Sequence, residues 1–143
     1  MGRASYRKDN GHFRYTNPNP LSRKTSGDCV VRAISNATGK HWDEVYMALC
    51  NIGFNLKAMP NDDKTYEQYL MELGWEKQRQ PRKPDNTKYL AKELAEMSGQ
   101  GNGIVAVIRV ANHLSVVSHG FILDTWDCGD KTVGNFWVYK GGV

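Results

Sequence analysis

No apolar run in this chain is long enough to cross a bilayer: the longest, "GIVAVI", is about six residues, where a membrane helix needs roughly 20. The start, "MGRASYRKDNGHFRY", is basic with no apolar stretch behind it, so no secretory signal is expected, and Tyr6 stands where a myristoylation signal wants Ser or Thr. Cysteine is scarce. Cys29, Cys50 and Cys128 are odd in number, widely spaced and form no CxxC pair, which argues against a disulfide framework and a zinc site. No metal or cofactor is expected, and a reducing cytoplasm, where thiols stay available for chemistry, is the simplest location. Internal repeats and low-complexity tracts are missing as well.

The 143 residues suit one ordinary domain, which buries about two-thirds of its unfolded surface. Four Trp and seven Tyr supply core volume. The net charge of +4 gathers in two places, from Arg3 to Lys24 and in "EKQRQPRKPDNTK". Basic segments can bind nucleic acid. Here one reads as a floppy arm and the other as a solvated linker broken by Pro81 and Pro84, so nucleic acid has the thinner support as a partner.

Residues 1–24 read as an arm ending in "NPNP", where alternate prolines favour extended backbone, and residues 25–143 as a single domain. Helices are expected over about Asp28–Thr38, Trp42–Asn51 and Lys64–Leu73, and from near Asn86 or Thr87 to just before Gly99. Ser26 or Asp28 can cap the first, Gly39 suits the left-handed position after it, and Gly53 and Gly74 read as stops for the next two. Beyond Gly101 the character changes. "GNGIVAVIRV", "HLSVV", "FILDTW" and "NFWVYK" are strand-like, so helices fill the first two-thirds and an antiparallel sheet the last third, an α+β arrangement.

The stretch "GDCVVRAIS" poses a choice. Cys29 at the first turn of a helix sits where unpaired N–H groups and the helix dipole favour a thiolate, and a nearby imidazolium would favour it further. Equally, a Cys beside Val30 and Val31 can be core. Asp28 opposes a thiolate unless its carboxylate turns away to cap the helix. A second segment, "NHLSVVSHGFILDTWD", has a turn-like break at Ser118-His119-Gly120 between two strand-like runs. If Ser118 and His119 form a two-residue loop, His113 lies directly opposite Asp124. If His119 and Gly120 form it, Asp124 opposes Ser115, diagonal to His113 on the same face. A three-residue loop puts the pair on opposite faces. A carboxylate beside His113 would fix its tautomer and stabilise its protonated form; a strand His with a surface Asp is the plain alternative. Asp127 rivals Asp124 from the opposite face. His12 falls in the arm, His119 at the hairpin tip and His41 at a helix start; Cys50 reads as helix core and Cys128 as a loop bystander whose thiol, if exposed, would react with reagents.

A Cys opening an early helix, followed by His and Asp on late strands, resembles the papain-like cysteine peptidase superfamily. "GDCVVRAIS", Trp42 and "H…ILDTWD" are also similar to small proteins encoded by Gram-positive bacteria and their phages, over roughly residues 17–139. The resemblance implies a papain-like fold, with N-terminal helices packed on a C-terminal antiparallel sheet. It makes Cys29 the nucleophile, His113 the general base and acid, and Asp124 the orienting residue, in the cytoplasm of a bacterium or phage-infected cell. Papain-like peptidases carry an oxyanion-stabilising Gln five or six residues before the Cys; here those positions hold Lys24 and Arg23. Asn19 or Asn17 are the substitutes from the Pro-rich segment, and Trp126 is a candidate wall of the substrate groove or a core residue. The expected activity is hydrolysis or acyl transfer at a peptide, isopeptide or related amide, with a peptide or protein as substrate. The alternative is an inactive scaffold of the same fold that binds a host protein or nucleic acid.

Overall fold

A computed structural model describes residues 9–24 and 27–141. Its architecture is α+β, four helices around a six-stranded sheet. In chain order the elements are β1 (Phe13–Tyr15), α1 (Cys29–Thr38), α2 (Trp42–Leu56), α3 (Asp63–Glu72), β2 (Trp75–Gln78), α4 (Ala91–Ser98), β3 (Val105–Val110), β4 (His113–Ser118), β5 (Phe121–Asp124) and β6 (Phe136–Tyr139). The strands lie in the order β1-β5-β4-β3-β6-β2, all neighbours antiparallel except β1 and β5.

Successive strand residues point to opposite faces, and β3 is buried on both. Val107 packs with Val30, Ile34, Leu49, Leu70 and Trp137 in the cluster under α1, α2 and α3. Ala106 and Ile108 point the other way, into a cluster with Phe13, Ala91, Ala95 and Ile122 beneath α4. The sheet is therefore a middle layer, with three helices on one face and one on the other.

Four expectations change. Part of the arm is sheet: Phe13 is fully buried and β1 adds a parallel edge strand to β5, Tyr15 aligning with Asp124. The segment after α3 is a strand, β2, in which only Trp75 is buried, so its pattern reads as linker. Gly53 does not stop α2. It lies inside the helix, where the Ala58 carbonyl would fall 2.6 Å from a Cβ and so requires glycine, and Lys57, with φ 56°, ends the helix instead. The fourth helix starts later than expected; Arg82 and Lys88 bridge first, and Leu90 N–H donates to Glu93 Oε1 at 2.7 Å at the true N-terminus. Gly39, at φ 77°, closes α1 with its N–H on the Ser35 carbonyl, as its position suggested.

Candidate active site

Cys29 is the first residue of α1, and α1 packs on β4 through Ile34 and Leu114. As an opening residue its own N–H is among those a helix leaves without an intrahelical partner. The thiol is half-buried, not sealed in the core. Burial opposes its ionisation. A hydrogen bond with His113, another from the Leu114 backbone N–H, and the charges of His113 and Arg32 outweigh that, and the thiol is held below its ordinary value.

His113 opens β4. Its Nε2 meets Asp124 Oδ2 at 2.7 Å, which leaves Nδ1 as the nitrogen available to the sulfur. Burial works against an imidazolium, but the bonds and charges of Asp124 and Cys29 raise it from the usual 6.5 to about 9. The Trp126 indole stands edge-on to the imidazole, ring centres 5.0 Å apart, and remains 42% exposed. It therefore stands at the surface beside His113 and is not core.

The β4–β5 hairpin decides this geometry. Val117 pairs with Ile122 and Ser118 with Phe121, so His119 and Gly120 form the loop. Both have positive φ, 48° and 102°, the requirement of a type I′ turn. Carried along the strands, that register sets Asp124 opposite Ser115 and diagonal to His113. Asp124, 4% exposed, is fixed on all sides. Its Oδ1 accepts from the N–H groups of Thr125 (2.7 Å) and Trp126 (3.4 Å), its Oδ2 from Ser115 Oγ (2.6 Å), and its carbonyl from Thr16 N–H (2.8 Å).

Asp28 turns away from the sulfur, but not to cap the helix. Its carboxylate takes the Arg32 guanidinium one turn on, Trp42 Nε1 at 2.9 Å and Asn19 Nδ2 at 3.0 Å, all largely out of solvent. The other proposed cap, Ser26, lies outside the described residues.

The asparagines are committed elsewhere. Besides its bond to Asp28, Asn19 accepts the Leu21 N–H on Oδ1 at 2.9 Å. Asn17 donates to the Arg23 carbonyl and accepts from Asn19 N–H. Both amides stitch the loop that leads into α1. Asp127 serves His12, with Nε2 at 2.9 Å and 3.0 Å from its two oxygens, and not His113. His41 caps α2 by accepting Asp43 N–H. Cys128, read from the sequence as a bystander, is fully buried, and burial with the Asp124 charge pushes its thiol up to about 12, so it is not the exposed, reactive thiol that its loop setting would have allowed. Among the described residues no cluster of three His, Cys, Asp or Glu could hold a metal ion, and no helix is long and apolar enough to cross a membrane.

Compared with known proteins, the chain matches no family model, no curated protein and no solved structure.

Three contributors to the site have only faint signals in sequence. Leu114 acts through its backbone. Arg32 lies three residues past Cys29, on the same side of the helix. Ser115 follows His113 by two residues in an otherwise apolar run.

Proposed function

We propose that this chain is a papain-like thiol enzyme that hydrolyses or transfers an acyl group at a peptide, isopeptide or related amide. One observation carries the reading. His113 bonds to Cys29 on one side and Asp124 on the other, with the thiol pKa lowered and the imidazole raised. A proton shared in that sense rests on the imidazole, leaving a thiolate beside an imidazolium.

The thiolate attacks the carbonyl carbon, and the oxyanion forms beside the Cys29 N–H at the start of α1. His113 gives its proton to the leaving amine, and Asp124 offsets the charge on the ring until it does so. The thioester left on Cys29 is resolved by water or by a second amine, and every earlier step is common to both outcomes.

The commitment of Asn17 and Asn19 to their own loop favours a second reading, a catalytically silent scaffold that binds a protein or nucleic acid. Loss of one oxyanion donor costs on the order of 100-fold or more in turnover. Iodoacetamide near pH 6, with adducts located by mass spectrometry, tests the nucleophile. The expected result is fast, selective modification of Cys29, slowed in His113→Ala, with Cys128 untouched. Equal, sluggish labelling of Cys29 and Cys50 would leave only the scaffold.

A further inference from the structure

We propose that Ser115 is a positioning residue of this site, holding the Asp124 carboxylate in the plane that His113 needs. The inference rests on the reading of Cys29 and His113 as a reacting pair and extends it to a fourth side chain.

Ser115 follows His113 by two positions on β4, so both side chains leave the same face of the strand. Its neighbours Leu114, Val116 and Val117 are buried and apolar, and Ser115 itself is 1% exposed. A hydroxyl buried there costs desolvation free energy unless it is bonded. Its 2.6 Å bond goes to Asp124 Oδ2, the same oxygen that takes His113 Nε2 at 2.7 Å. Thr125 and Trp126 N–H groups hold Oδ1, while Oδ2 is shared by Ser115 Oγ and His113 Nε2. Besides the imidazole itself, Ser115 is thus the side chain that fixes the oxygen His113 binds.

The groups that act electrostatically on the Cys29–His113 pair are Asp124 from β5 and Arg32 from α1. Cys128 packs on the same carboxylate and hydroxyl but stays neutral, so it adds no competing charge. Loss of the hydroxyl weakens the hold of Asp124 on the imidazolium; it also removes the bond Ser115 makes with Cys128, which only raises that already neutral thiol further. A weaker hold means less thiolate at a given pH.

The test is the pH profile of Cys29 alkylation by iodoacetamide in the wild-type chain, in Ser115→Ala, and in the isosteric pair Ser115→Thr and Ser115→Val. The acid limb should move up by about half to one pH unit in the Ala and Val variants, so that alkylation at pH 6 falls roughly threefold to tenfold. Ser115→Thr, which keeps the hydroxyl, should follow the wild type. Urea midpoints are recorded alongside, because a purely structural serine would lower the midpoint and leave the limb in place. Superimposed profiles overturn the proposal, and so does a shift in which Thr moves together with Val. If Ser115→Ala does not fold, the Thr and Val pair decides alone. Should wild-type Cys29 itself show no enhanced alkylation near pH 6, the Cys29–His113 reading has failed first, with a signature distinct from a failure of Ser115.

Discussion

Truncating Asp28 should be among the costliest single changes in this molecule, for a reason visible around its carboxylate. Asp28 is 8% exposed and Arg32 6%, and three donors converge on the one carboxylate. Among the described residues Arg32 Nε is already buried without a partner. Asp28→Ala leaves a buried cation uncompensated, which costs about 3–5 kcal/mol, and strands two neutral donors at about 1 kcal/mol or more each. The terms share an acceptor and do not add, so about 4 kcal/mol is the expected loss. A domain of this kind has only about 5–15 kcal/mol in all. Urea unfolding should show a lower midpoint at unchanged slope, and melting should fall by roughly 8–16 °C. The double variant Asp28→Ala/Arg32→Met should regain more than half of the loss, because removing both charges also removes the desolvation cost. A loss under about 1.5 kcal/mol for Asp28→Ala, or no recovery in the double variant, would refute the account of a desolvated pair.

Two further outcomes follow from the same geometry. In a Cys29→Ala background, His113 keeps part of its raised pKa through Asp124. Its contribution to stability is then full below the unfolded value near 6.5, is lost as pH rises, and is gone by about 9, at most about 3 kcal/mol in size; unfolding free energies that stay level or rise across that window would contradict it. Gly120→Ala forces an L side chain to φ 102° in the hairpin turn and should cost about 1–2 kcal/mol by urea unfolding, whereas a change within a few tenths would mean the turn relaxes without strain.

How far the sequence could be read depended on whether the signal was local. The α1 helix follows from its own stripe and from Gly39, and the β4 and β5 strands from their apolar runs. The His113–Asp124 pairing was open only in register, since one residue of loop moves a whole strand face. What settles it is positive φ at both His119 and Gly120, a conformation glycine adopts freely and histidine more readily than most other residues. The misses come from tertiary context. A three-residue strand such as Phe13–Tyr15 has too few residues to show a period, and pairs because β5 offers it an edge. Gly53 looks like a stop until the Ala58 carbonyl is known to lie against it. Asp28 looks like a cap because its competing donors, Trp42 and Asn19, are distant in the chain.

Two buried carboxylates flank Cys29, and their order along the chain of contacts explains why both are compatible with a lowered thiol. A bare carboxylate one residue before a sulfur would repel its charge. Asp28 does not act as a bare carboxylate, because Arg32 binds it directly and the Arg32 charge itself favours the thiolate. Asp124 reaches the sulfur only through His113. On the proposed reading, acid, imidazole and thiol are arranged so that charges alternate, negative to positive to negative. Asp124 thereby acts on the sulfur through His113, and the Arg32 charge offsets that of Asp28. The same two aspartates placed in direct contact with Cys29 would raise its pKa instead of lowering it.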